Sequence, residues 1–195
     1  MSCLVTNTDD FLWRLVKGCV QLGLVPDINN PINMVPVDHV ARCTTLATIS
    51  PLPHTGISVL HITANPLPTY NDMLSSLVLY GFPTETCGYL VWRRKLEKHV
   101  KEVQDNALFP LLHFALADLP TSTRAPRLDD SNTTELLKQD DGLITSTVDD
   151  SLMGLYFAWL VGAGFLPQPS LTSPQKALPS LGHDGVIRAS GRTGM

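Results

Sequence analysis

The sequence predicts an α/β domain built on a small parallel sheet, and three observations carry that prediction. Helical and strand-like patterns alternate through the first hundred residues and then give way to a cluster of helices, the order expected of crossovers between parallel strands. Residues 57–64 are apolar at Ile57, Val59, Leu60 and Ile62, which suits a strand buried on both faces. Residues 32–37 read as a short strand, with Pro36 at its end or on an exposed edge, that feeds directly into a helix.

Each element has a local cause. Asn7 or Thr8 is placed to cap a first helix, with Asp9 and Asp10 in its positive first turn. Phe11, Leu12, Leu15, Val16, Cys19 and Leu22 then recur with helical period, and Gly23 is placed to end the run. Residues 26–31 are turn chemistry. After the strand at 32–37, Asp38 sits where an N-cap belongs, Val40, Ala41, Cys43, Ala47 and Ile49 continue at helical spacing, and Pro51 and Pro53 stop them. Thr69 and Asp72 resemble a capping box, and Gly81 follows the end of that helix at Tyr80. Residues 88–92 are a strand candidate and 93–104 a charged helix with Leu96, Val100 and Val103 as its apolar line. A buried helix over 108–116, a loop over 119–130, a short helix over 135–139 and a helix over 149–161 follow, the last started by Ser151 and the aspartates and ended by Gly162 and Gly164. Pro, Ser and Gly dominate beyond Pro167, so residues 1–166 are expected to form the domain and 167–195 a disordered tail.

Composition narrows the classes. A chain of 195 residues that is 44% hydrophobic has enough apolar side chains for one sizeable core. A net charge of −4 offers no basic footprint, so no nucleic-acid partner is expected. The longest apolar run, 152–161, is well short of the roughly 20 residues that span a bilayer, so no membrane is expected. The amino end lacks the basic and apolar blocks of a signal peptide, and a cytoplasmic location is the expectation. Cys3, Cys19, Cys43 and Cys87 form no Cys-x-x-Cys pair and read as reduced thiols.

The strings Asn7-Thr-Asp-Asp-Phe-Leu-Trp-Arg-Leu-Val-Lys-Gly-Cys-Val-Gln-Leu-Gly23 and Pro26-Asp-Ile-Asn-Asn-Pro-Ile-Asn-Met-Val-Pro-Val-Asp-His-Val-Ala41 resemble the terminal thioester reductase domain of fungal α-aminoadipate reductases. Leu108-Phe-Pro-Leu-Leu-His-Phe114, Asp118-Leu-Pro-Thr-Ser-Thr-Arg-Ala-Pro126, Leu128-Asp-Asp130 and Leu152-Met-Gly-Leu-Tyr156 extend the resemblance from about Thr6 to about Pro169. The wider group takes in carboxylic acid reductases and the reductase ends of nonribosomal peptide synthetases. The resemblance implies a partial Rossmann-type fold of the extended short-chain dehydrogenase kind, its C-terminal half with a helical substrate-binding lobe. It also implies reductive release of carrier-bound aminoadipate as the semialdehyde, with NADPH as cofactor and a phosphopantetheine-bound substrate, in lysine biosynthesis. The implied partners are a carrier-protein thioester and the amino-terminal half of the reductase domain.

The residues that would do the chemistry are not in this sequence. No Gly-x-Gly-x-x-Gly or Gly-x-x-Gly-x-x-Gly turn is present to bring backbone amides to a pyrophosphate. The family's proton-donating Tyr-x-x-x-Lys pair is missing too: Tyr70, Tyr80, Tyr89 and Tyr156 have no lysine four residues on, and Arg93 follows Tyr89 by coincidence. The chain alone is therefore expected to be inactive, with no catalytic residue assigned. The six histidines lack His-Glu-x-x-His spacing, so no metal is expected. There is no Gly-x-Ser-x-Gly elbow for a hydrolase. The adjacent acids Asp9-Asp10, Asp129-Asp130 and Asp149-Asp150 read as caps and solvated surface, because sequence neighbours do not face each other on a helix. By resemblance, Asn7, Thr8, Asp9 and Asn33 are substrate-binding candidates at the rim of the cleft. Capping is the plainer role for Asn7 and Asp9, and turn or strand-end bonding for Asn33. The competing readings are a non-enzymatic remnant or binding module, and a fragment of another extended short-chain dehydrogenase such as a fatty acyl reductase.

Overall fold

The computed structural model describes residues 7–50, 57–103, 105–117, 119–124, 126–138 and 145–181. Its first helix, α1 (Phe11–Leu22), is started by Asp10, whose carboxylate accepts from the Leu12 amide, and stopped by Gly23 at φ 69°. Asp10, rather than Asn7 or Thr8, is thus the cap, and Thr8 is buried. Glycine is needed at 23 because a Cβ disfavours this left-handed conformation. Leu15, Val16 and Cys19 are fully buried on one face of α1, a pattern that contributes on the order of 1.5–3 kcal/mol per large side chain.

Strand β1 (Leu24–Asp27) follows without a loop and pairs in parallel with β2 (Glu85–Gly88), Leu24 opposite Glu85 and Asp27 opposite Gly88. The sequence pattern suggested a turn over 26–31, and the structure corrects it: Pro26 lies in β1, where its missing N–H is tolerated on an edge. Helix α2 (Val37–Ile49) starts from Pro36, not Asp38; the Asp38 carboxylate lies in its first turn and makes no capping bond. Proline suits that start because its fixed φ and absent N–H cost nothing where amides are unpaired anyway. Pro51 and Pro53 lie outside the described residues.

Two expected strands are not strands. Residues 32–36 are irregular, tied to the chain at 68 by one bond from the Ile32 amide to the Pro68 carbonyl (2.7 Å) beside the Pro31–Thr69 bridge. Residues 57–64 are likewise outside any sheet, with Ile57 97% and Val59 56% exposed, the reverse of the double-faced burial expected. Side chains meet their backbone instead: Asn132 donates to the Val59 carbonyl, Thr133 to His61 and Asn33 to Ile62. A strand needs a partner of matching register, and the described residues place none beside either segment.

Helix α3 (Tyr70–Leu79) carries the full capping box between Thr69 and Asp72, and Gly81 at φ 89° turns the chain at its end. Strand β2 runs straight into α4 (Tyr89–Glu102), so the strand lies at 85–88, and of the 88–92 expected only Gly88 is strand while 89–92 are helical. Trp92, Leu96 and Val100 form the buried line of α4, while Val103 lies beyond its end and is exposed. A 3-10 turn (Phe109–Leu111) and α5 (Leu112–Ala117) replace the single buried helix expected, with Leu108 and Ala115 buried and Phe109 exposed. Helix α6 (Leu119–Ser122) occupies part of the expected loop, α7 (Ser131–Leu137) starts before 135, and α8 (Asp150–Gly162) is capped by Asp149. Trp92, Phe82 and Phe157 are the bulkiest fully buried side chains. Residues 167–181, read from sequence as part of a tail, lie against α3, with the Ser170 and Leu171 amides donating to Gly81 and the Lys176 amide to Leu79.

Candidate functional site

Residues 63–68 form a common wall for three cavities. The largest, about 440 Å³, is lined by Asn33, Thr63, Asn65, Arg127 and Asp130 among apolar residues. A second, about 300 Å³, shares Thr63, Asn65 and Asp130 and adds His39, Thr133 and Ser146. The third, about 330 Å³, lies on the Leu67 side, between the start of α3 and the start of α8. Its acids are already committed: Asp72 to the capping box, Asp149 to the Leu152 amide and Asp150 to Ser76. Among the described residues, no group of three or more His, Cys, Asp or Glu side chains is arranged to hold a metal ion.

The four candidates from sequence separate. Asn33 lines the largest cavity, and its carboxamide spans residues 62 to 64, donating to the Ile62 carbonyl and accepting from the Ala64 amide, both at 3.2 Å. Asn7, Thr8 and Asp9 line none of the three cavities. The Asn7 side chain accepts from the Asp9 amide (3.0 Å), and Asp9 pairs with Arg14, whose guanidinium also donates to the Ala107 carbonyl (3.2 Å). Near them, Asn30 donates to Pro120 (2.7 Å) and Thr123 (2.9 Å) and its own carbonyl accepts from the Tyr70 amide (3.0 Å). Burial, and then the nearby Asp10 charge, raise the Tyr70 phenol above its ordinary value, against a hydrogen bond to Thr123. Burial likewise raises Tyr156, with Asp38 adding to it. Both phenols therefore stay protonated.

Electrostatics around the 63–65 wall are mixed. Thr63 donates to Asp130 (2.5 Å). Asp129 is held below the usual carboxylate range by the hydroxyl and amide of Ser131, with His61 assisting. His39 is buried, its Nε2 lies 3.7 Å from the Cys43 sulfur, and its Nδ1 has no partner among the described residues. Burial and the Arg42 charge lower its pKa, so it is neutral near pH 7.

Among the described residues no glycine-rich turn is built to receive a pyrophosphate. Gly23, Gly81 and Gly164 are the described glycines with positive φ, and each sits at the C-terminal end of a helix. That end presents carbonyl oxygens and partial negative charge, the wrong polarity for a pyrophosphate. Among the described residues, the direct strand-to-helix junction from β2 to α4 carries the single glycine Gly88 and no glycine-rich turn. The tertiary arrangement is nevertheless shared. Over 84% of this chain and 41% of the other, the fold superposes with TM-score 0.68 and 26% identity on the crystal structure of the terminal R domain from the myxalamid PKS-NRPS biosynthetic pathway. In sequence, 182 residues are 47% identical to L-2-aminoadipate reductase of Schizosaccharomyces pombe. This chain is similar to part of an L-2-aminoadipate reductase. The match takes in 90% of this chain and 12% of that protein. The L-2-aminoadipate reductase large subunit of Penicillium chrysogenum is 44% identical over 178 residues, 85% of this chain and 13% of its own. The family described as male sterility protein, an NAD-binding family, matches residues 5–44. The resemblance read from sequence is thus borne out, and so is the partial Rossmann-type class, although the chain spans about an eighth of the length of these aminoadipate reductases.

Sequence reasoning missed Arg127, Asp130, Thr63 and Asn65. The Asn65-Pro66 dipeptide was a legible turn signal. Nothing local says that residues 63–65 and 127–130, more than sixty positions apart, share a wall.

Proposed function

We propose that this chain supplies the substrate-side lobe of an NADPH-dependent thioester reductase that releases carrier-bound aminoadipate as its semialdehyde, in the cytosol and in the service of lysine synthesis. The observation that carries the reading is the 47% identity to an L-2-aminoadipate reductase over 90% of the chain, and the R-domain likeness supports it. A phosphopantetheine-bound acyl group on a carrier protein is the substrate of this reading, and the amino-terminal half of the reductase domain the partner. Asn33, on the wall of the largest cavity, orients the acyl group; Asn7, Thr8 and Asp9 shape the rim at the start of α1. The glycine-rich turn and the Tyr-x-x-x-Lys pair are not in this sequence. The reading therefore assigns this chain binding and orientation of the acyl group, and leaves hydride and proton transfer to residues outside it. The chain alone is inactive on this reading.

A chimera tests it. Replacing the matched segment of the Schizosaccharomyces pombe enzyme with these residues should preserve NADPH oxidation driven by aminoadipyl thioester, whereas the isolated chain should show none. A folded chimera that forms the thioester and does not reduce it would overturn the reading. It would favour a non-enzymatic remnant or binding module instead.

A further inference from the structure

The 440 Å³ cavity carries one cation and one anion, Arg127 and Asp130, three residues apart on the segment that leads into α7. No ion pair joins them, and Arg127 has no side-chain hydrogen-bond partner among the described residues; the Asp130 carboxylate accepts one bond there, from Thr63. Pro126 and Leu128 flank Arg127 in the lining, and Ala64 and Leu67 line the same space. Arg127 is exposed and Asp130 half-buried, so solvent serves both in the free chain. A ligand of one sign would engage only one of the two charges, and a purely apolar one neither. A zwitterion satisfies them together: a carboxylate accepts from the planar guanidinium fork, and an ammonium donates to the free oxygen of the aspartate. The apolar remainder suits a methylene chain.

We propose that Arg127 and Asp130 recognise the α-carboxylate and α-ammonium at the far end of an acyl group that carries a free α-amino acid head, making them specificity-determining residues. The assignment rests on the thioester reading above and adds to it which end of the acyl chain this lobe holds. The neighbouring cavity shares Thr63, Asn65 and Asp130, so the Asp130 carboxylate is reachable from either side.

Binding to the 195-residue chain decides it, with no turnover needed. The probes are four N-acetylcysteamine thioesters: L-α-aminoadipyl, adipyl (carboxylate only), 6-aminohexanoyl (ammonium only) and hexanoyl. Amide NMR titration should show the first binding roughly 10-fold or more tighter than either singly charged probe, with shifts at residues 63–65 and 127–130. Arg127→Met should weaken the aminoadipyl and adipyl probes about 10-fold and leave 6-aminohexanoyl unchanged, and Asp130→Asn should do the converse. Both variants keep side-chain size, and native amide spectra verify their folds. Saturable binding that is blind to the head group, or variants that weaken all four probes alike, would overturn the head-group assignment while the thioester reading stands. No binding of any probe would overturn both.

Discussion

Gly154 shows how one missing methyl holds two helices together. A Cβ built there would stand 2.4 Å from the Tyr80 ring, which is buried, lies edge-on to Phe157 and donates its hydroxyl to the Asp150 carbonyl at 2.8 Å. The ring cannot retreat without losing that bond. Gly154→Ala would gain about 1 kcal/mol of helix propensity. Overpacking costs about 1–3 kcal/mol, and the lost bond about 1 more. The clash wins, and we expect net destabilisation of at least about 1 kcal/mol by urea unfolding. A variant as stable as the parent would mean that α3 and α8 have room to separate.

At the scale of elements, caps decide where helices begin, and sequence located them to within a few residues. The Thr69–Asp72 box was fully legible because both partners lie within one turn of each other. The α1 cap was legible as chemistry but ambiguous in position, since Asn7, Thr8, Asp9 and Asp10 are all competent. The structure selects Asp10 because Asp9 is drawn to Arg14 and Thr8 is buried. Asp10→Ala should therefore cost about 1 kcal/mol of stability and Asp10→Asn much less, read by thermal or urea unfolding. Equal losses in the two variants would show that charge, rather than an accepting oxygen, is what α1 requires.

For the whole molecule, the apolar stretch at 57–64, which has no strand partner among the described residues, sets the expected behaviour. Ile57 and Val59 are exposed on a segment outside any sheet, and Val37 and Ile49 at the two ends of α2 are 76% and 70% exposed. Exposed apolar side chains on a segment with no strand partner among the described residues invite association. The isolated chain should elute from gel filtration with an apparent size that grows between low and high micromolar loading, and Val59→Lys should reduce that growth. A concentration-independent monomer with strong amide protection over 57–64 would instead mark a self-sufficient fold. By itself the sequence determined the helices with strong period, their glycine stops, the resemblance to the reductases and the absence of a pyrophosphate turn, because each is written in neighbouring residues. Tertiary structure alone decided that β1 lies at 24–27, since Val25 and Pro26 become a strand only opposite Thr86 and Cys87. It likewise left 57–64 without a strand partner among the described residues, and it brought Asn33, Thr63, Arg127 and Asp130 to one cavity. Strand pairing and cavity walls join residues far apart in the chain, and no local pattern encodes which distant partner a segment will meet.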